Sequence, residues 1–287
     1  MRRLRLLGAM LLTLAVAAPG AALADPQDFQ LYRLGNPATT PDANAQFRTF
    51  ANQLGVALSS WNLAPPETLG HSGFNFAFEY AVANVDPRPE IWPRQTPGRP
   101  TDLLLMPAAH VRKGLPFSFE IGGRLTYLQY SRMTSAMIEG KWALHEGKAI
   151  HFAVPDLSVR GYGNRLIGAR DFNLTTAGLD FGLGYQIPVG GMLTITPYAG
   201  YNLIYVNATS NVIDFDPGRS LANAQTQPTL NTGVFEEVRM FNNHSNRFYG
   251  GLRFIAYVFE LGAEFSYAQV ANTRNVTTFA GKIGIDF

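Results

Sequence analysis

The chain has 287 residues, of which 23 are Lys or Arg and 21 are Asp or Glu, and none is Cys. A net charge this close to zero argues against nucleic acid and against polybasic lipid binding, and a chain without cysteine has no disulfide scaffold, thiolate nucleophile or Cys-ligated metal. A hydrophobic content of 46% is ordinary for a soluble protein, and it is also what strands produce when lipid-facing and lumen-facing residues alternate.

Arg2, Arg3 and Arg5 form a basic start, Leu6 to Ala18 an apolar run, and Ala22-Leu23-Ala24 a small-residue cleavage site. This is the organisation of an export signal, cleaved after Ala24. The apolar run falls short of the ~20 residues a spanning helix needs, and no other run reaches that length. A membrane protein with this sequence therefore crosses as strands. Loss of residues 1–24 leaves 20 basic against 21 acidic residues, so the mature charge is also near zero. An exported chain without disulfides needs another source of stability, and a closed ladder of backbone hydrogen bonds supplies one.

Residues 25–42 read as a polar leader. Thr40-Pro41-Asp42 then supplies an N-cap, a proline at the first helical position and an early acid. Phe47, Phe50, Leu54, Leu58 and Trp61 follow at spacings of three and four, which predicts a short amphipathic helix from Asp42 to Ser60. Asn62 to Gly70, with Pro65-Pro66, ends it.

From Gly73 the period changes to two, the mark of strands. Phe74, Phe76, Phe78, Tyr80 and Val82 alternate with Asn75, Ala77, Glu79 and Ala81, and the proline-rich segment Asn84 to Thr101 reads as a loop. Leu103 to Arg112 is a less regular strand interrupted by Pro107, followed by a tight turn at Lys113-Gly114-Leu115-Pro116. The next strand, Phe117 to Tyr127, places Glu120 and Arg124 inward, and Ala136 to Leu144 does the same for Glu139 and Lys141. A turn at His145-Glu146-Gly147 precedes Leu157 to Tyr162, with Arg160 inward. Thr176 to Tyr185 carries Asp180, and after a turn at Pro188 to Gly191 comes Leu193 to Tyr205. Asn207 to Asn246 is the longest irregular segment. Phe248 to Phe254 then carries Arg253 inward, a turn near Ala256 follows, and Phe259 to Tyr267 carries Glu260 and Glu264.

The final stretch, Val276 to Phe287, sets Phe287, Ile285, Ile283, Gly281 and Phe279 against Asp286, Gly284, Lys282, Ala280 and Thr278. Ten candidate strands result, with 8 to 12 as the range. The export signal, the two-residue period over 73–287, the connections that alternate short and long, and the closing strand that ends on Phe together resemble the bacterial outer-membrane β-barrel class. The resemblance implies an all-β, antiparallel up-and-down transmembrane barrel in a Gram-negative outer membrane, with its tight turns in the periplasm. It also implies that Phe287 is part of the signal read by the barrel-assembly machinery, and that the partners are outer-membrane lipid and lipopolysaccharide. On this reading residues 25–72 form a periplasmic segment, whose helix either enters the lumen as a plug or packs against the barrel rim.

Charges facing a narrow lumen must pair, because an isolated buried charge is expensive. The predicted inward set is Glu79, Glu120, Arg124, Glu139, Lys141, Arg160, Asp180, Arg253, Glu260, Glu264, Lys282 and Asp286. At about ten strands the interior is only slightly wider than the eight-strand case that side chains fill, so a salt-bridged, largely closed barrel outweighs a narrow selective pore. A second reading makes Asn207 to Asn246 a binding or adhesion surface. A third makes the chain a soluble periplasmic β-sandwich with the outward aromatics as its core.

Catalytic signals are weak, and no enzyme or cofactor is expected. His145-Glu146 with His151 lacks the spacing of a zinc protease, and there is no Gly-x-Ser-x-Gly elbow. Outer-membrane hydrolases carry acids or His at the external rim, where this chain offers Asp214, Asp216 and His244. The carboxylates of Asp214 and Asp216 are spaced as in calcium loops but lack the later ligands of an EF-hand, so a solvated turn is the expected role. Trp142, Tyr127, Tyr185, Tyr205 and Tyr267 are expected to form interfacial girdles.

Overall fold

The structure, a computed structural model, describes residues 28–86, 88, 90–94, 102–146, 154–190, 193–218, 231–270 and 273–287. The export signal, Gly147 and His151 lie outside these. The ten strands are β1 (Phe74–Asn84), β2 (Leu103–Leu115), β3 (Phe119–Tyr127), β4 (Thr134–His145), β5 (Asp156–Ile167), β6 (Phe172–Gly184), β7 (Leu193–Ser210), β8 (His244–Ala256), β9 (Phe259–Gln269) and β10 (Val276–Asp286). Each pairs antiparallel with its chain neighbours. β1 closes the ring on β10, in register from Asn75 opposite Asp286 to Asn84 opposite Thr277. Closure leaves no unpaired edge, which removes the usual template for aggregation.

Alternation does the sorting that the sequence predicts. Phe76, Phe78, Ile121, Leu125, Ile138, Phe265 and Ile283 point out and are at least half exposed, while their strand neighbours point in and are buried, apart from the half-buried Gly122 and Glu139. Trp142, Tyr127, Tyr185 and Tyr267 are exposed near the strand ends. The connections after β2, β4, β6 and β8 lie at one end, called the tight-turn end for 116–118 and 257–258, where Phe117, Ser118 and Tyr257 hold positive φ, the backbone form of hairpin turns that match strand twist. The turn expected at His145-Glu146-Gly147 is instead a ten-residue connection, since β4 ends at His145 and β5 begins at Asp156. The connections after β1, β3, β5, β7 and β9 define the opposite, loop end.

Several strands are longer than their patterns suggest. β7 runs on to Ser210 and β8 begins at His244, so the long connection shrinks to 211–243 and contains a small hairpin, Ile213–Asp214 with Thr232–Gly233. Pro107 sits within β2 without breaking it, because the ladder with β3 starts only at Ala108 opposite Thr126.

The N-terminal segment contributes a 3-10 turn at Leu31–Leu34 and the helix α1, Ala43–Leu58. From Phe50 to Leu58 every residue of α1 is buried, the condition of a helix enclosed on all sides. The sequence reading puts this helix at the tight-turn end; the structure places it inside the loop-end mouth. Its apolar residues decide the matter. The loop-end half of the inner wall is lined by Ala81, Leu104, Met106, Leu174, Ile204 and Val206, all buried with α1 in one apolar cluster, whereas the tight-turn half is lined with charge. Burying a Phe or Leu side chain contributes roughly 1.5–3 kcal/mol, and only the loop-end half offers a dry partner. Phe50 is held there by the rings of Phe29, Trp92 and Phe172 at 4.9, 5.3 and 5.4 Å.

Gly55 lets α1 approach the wall. A Cβ at this position would meet the two methyls of Val206 at 2.8 and 2.9 Å, and a β-branched side chain has little freedom to yield. Gly55→Ala is therefore expected to destabilise by about 1–2 kcal/mol, the crowding cost exceeding the gain in helix propensity. Urea midpoints of the two folded barrels in lipid vesicles would show it, and an unchanged or raised midpoint would mean that the helix does not press on β7.

Candidate functional site in the barrel lumen

Below α1 the chain turns down the lumen. Ser59 to Gly73 descends from the loop end to the tight-turn end, and its wall contacts come in order of depth. The helix C-terminus carries no basic residue of its own, so the wall supplies the cations that its last carbonyls favour. Arg247 of β8 donates to the Val56 carbonyl, to Ser59 Oγ at 2.8 Å and to the Ser60 carbonyl at 3.2 Å. Arg124 and Arg160 converge on Ser60 Oγ at 2.9 and 3.0 Å and also donate to the Trp61 carbonyl. Asn164 donates to the Leu58 carbonyl at 2.8 Å.

At mid-depth, Glu79 accepts from Trp61 Nε1 at 2.8 Å and from Arg124 Nη2 at 3.4 Å, forms an ion pair with Arg124 whose Nε lies at 2.7 Å, and meets His110 Nδ1 at 2.8 Å. The other ring nitrogen of His110 lies 3.0 Å from Glu139, which in turn takes Arg160 at 2.8 Å. Arg160 also pairs with Asp180 at 3.0 Å, and Asp180 accepts from Tyr249 OH at 2.6 Å and Asn202 at 3.0 Å. Glu264 accepts the N–H groups of Leu63 and Asn62, at 2.9 and 3.1 Å. Successive N–H groups aimed this way form a small anion cradle.

Near the tight-turn end, Lys141 donates to the carbonyls of Pro65 and Glu67 at 3.2 and 2.9 Å and pairs with Glu120 at 3.3 Å. Glu120 pairs with Arg112 at 3.0 Å. Glu67 pairs with Arg253, Lys282 with Glu260 at 2.5 Å, and Asp286 accepts from Asn75. Thr68 gives both its N–H and its hydroxyl to Glu146, at 2.8 and 2.6 Å. Gly73 meets the Gly114 N–H at 3.0 Å before β1 begins. Phe287 then joins Phe74 through two backbone bonds and a ring contact at 5.3 Å.

All twelve predicted inward charges lie on the inner wall. Most pair with one another or with wall residues that the sequence pattern leaves out, and Arg253 and Glu264 pair with the descending segment instead. His110 and Arg112 are missing from the predicted set because Pro107 obscures the alternation of β2. Arg247 is missing because it falls between the stretch read as loop, which ends at Asn246, and the strand read from Phe248. Glu67 belongs to a segment with no periodicity at all. Glu79 and Glu260 have no solvent exposure, and Arg112, Arg160 and Lys282 at most 3%, so the lumen is filled rather than wet at these positions.

The loop-end mouth is built differently. Gln53 Oε1 accepts from the Asp86 N–H at 3.1 Å and from Trp92 Nε1 at 2.9 Å. Burial pushes the Asp86 carboxyl up, but its bonds to Arg88 outweigh this and hold it below the usual carboxylate value. Asp214 Oδ1 accepts the Asp216 N–H at 2.9 Å, the local bond of a turn residue. His244 is exposed at the first position of β8. Among the described residues no group of three or more His, Asp or Glu side chains is placed to hold a metal ion.

No protein-family model matches the chain, and no curated protein matches it. Among solved structures it is similar to Ail, the attachment invasion locus protein of Yersinia pestis, with 12% identity over 76% of this chain and 99% of that one and a TM-score of 0.29. It is similar also to the β-domain of the Bordetella autotransporter BrkA, with 10% identity over 75% and 100% and a TM-score of 0.45. A third is the outer membrane protein Omp33 of Acinetobacter baumannii, with 9% identity over 77% and 100% and a TM-score of 0.29. Identities and scores this low transfer no role to this chain.

Proposed function

We propose that the chain is an integral outer-membrane β-barrel, closed along its lumen by its own N-terminal segment, that is neither an open pore nor an enzyme in this state. The observation that carries the reading is the outer face. Large apolar side chains are exposed on nine of the ten strands around a closed ring, and on β7 they are half-buried, far beyond the few hundred Å² of apolar patch a soluble monomer tolerates. A soluble sandwich would bury those residues between two sheets; a single closed barrel turns them toward lipid. The two longest connections, 85–102 and 211–243, lie at the loop end and the two shortest, 116–118 and 257–258, at the other, an asymmetry that favours the periplasm for the second end and the outside for the first. The working surface is then the loop-end face, where the 211–243 connection exposes Val212 and Phe241, in contact with lipopolysaccharide and with whatever the cell meets.

Membrane fractionation and gel mobility test this. The protein is expected in the outer-membrane fraction, with a mobility shift on boiling, and the intact chain in planar bilayers is expected to conduct no more than background. Recovery in the soluble periplasmic fraction without a shift would overturn the architecture. Steady channel steps from the intact chain would overturn the closed lumen alone.

A further inference from the structure

We infer that the N-terminal segment of the mature chain is displayed on the external face, the barrel acting as a scaffold that carries residues 28–58 through its own lumen. The inference rests on the membrane orientation proposed above and adds what that orientation does not contain, the side on which the N-terminal segment stands. β1 begins at the tight-turn end, yet residues 28–58 are anchored to the loop-end connections and to the loop-end half of the wall. Phe29 bridges to Arg94 in the β1–β2 connection, the Leu31 N–H bonds Asp171 between β5 and β6 at 2.8 Å, and Glu236 in the long connection takes Arg48 at 3.2 Å and, through its N–H, Asn44 at 2.9 Å.

Only one route connects the two ends. The contacts of Ser59 with Arg247, of Asn62 with Glu264 and of Thr68 with Glu146 mark successive depths inside the ring, and the ladder is paired between every neighbouring strand, so no side exit exists. The reach agrees. Strands of 11–13 residues tilted at ~40° span about 30 Å along the barrel axis, and the run from Ser59 to Gly73 can extend to about 50 Å at ~3.3 Å per residue. One descending pass fits with slack. A consequence follows for anything joined ahead of Asp28: it emerges on the same side as the long loops, next to the exposed outer face of α1 with Ala45 and Arg48.

The absence of cysteine from the sequence makes the test direct. Single variants Ala45→Cys on α1, Val212→Cys in the long connection and Val189→Cys in the β6–β7 turn are expressed in the full chain. Each is checked for the heat-dependent mobility shift and exposed to a membrane-impermeant maleimide on intact cells and after lysis. Ala45→Cys is expected to label on intact cells to within about twofold of Val212→Cys, and Val189→Cys to label at least tenfold more after lysis. Labelling of Val212→Cys but not Ala45→Cys on intact cells would overturn the display topology while leaving the orientation in place. Labelling of Val189→Cys but not Val212→Cys would overturn the orientation itself. Thr39→Cys, at an exposed position before α1, replaces Ala45→Cys should that variant fail to fold, and carries the same two outcomes.

Discussion

Glu79→Ala is expected to lower the stability of the folded barrel by about 3–5 kcal/mol, the cost of breaking a buried ion pair from one side. Three buried groups depend on this carboxylate: the Trp61 indole, the Arg124 guanidinium and the His110 ring. None has water to turn to, since Glu79 and its surroundings are sealed between the wall and the descending segment. Arg124 keeps its bonds to Ser60 and Trp61, but it becomes a buried cation facing a void. Glu79→Gln removes the charge and keeps one acceptor, so its cost is expected to be about half as large, near the 1.5–3 kcal/mol of hydrogen bonds to charged groups. Urea unfolding in lipid vesicles would rank the two variants below the parent. A Glu79→Ala midpoint within 1 kcal/mol of the parent would mean that the segment and wall are not joined as the structure shows.

The barrel was readable because its period is two. Phe74 to Val82 and Phe279 to Phe287 state their facing residue by residue, and the inward charges follow from simple alternation. Burial depth was readable only in part. Nothing about the pattern of Arg247 distinguishes an inward strand residue from a loop residue when the strand start is uncertain by four positions, and Pro107 hides His110 and Arg112 in the same way. The descending segment could not be read at all. Ser59 to Gly73 has no periodic face, since it is surrounded by wall on every side and bonds through its backbone carbonyls and N–H groups, which every residue possesses. The helix misled for a related reason. Its spacing of three and four identifies one greasy face, and a rim helix needs only that; the further apolar residues Ala51, Val56 and Ala57, which the lumen buries, look neutral in a helical pattern. The missing signal was the division of the wall itself: inward residues are apolar toward the loop end and charged toward the tight-turn end. A helix that must bury Phe50, Leu54, Val56 and Ala57 can then lie in only one of the two halves.

Deleting residues 28–69 is expected to convert a barrel that conducts at background into one with discrete channel steps. The deletion removes α1 and most of the descending segment and leaves every strand and turn of the ring intact, so the hydrogen-bond ladder that holds a membrane barrel together persists. It also uncovers Leu104, Met106, Ile204 and Val206, whose lost burial costs about 25 cal/mol for each Å² returned to water; the shortened barrel should therefore unfold at lower urea while still showing its mobility shift. Selectivity follows from which charges lose partners. Arg253 loses Glu67, and Arg247 loses the carbonyls of Val56 and Ser60, whereas the wall pairs Glu120–Arg112, Glu260–Lys282 and Asp180–Arg160 survive. Glu264 loses the N–H groups of Asn62 and Leu63 in the same deletion, so the open lumen frees charges of both signs and should select only weakly between anions and cations, which a reversal potential close to zero under a salt gradient would reveal. The competing result is equally plain in physical terms. Wall side chains can fill the interior of an eight-stranded barrel unaided, and ten strands add only a little width. Should the deleted barrel fold and remain at background, the wall would be closing the lumen, and the N-terminal segment would be a passenger held in place rather than the plug.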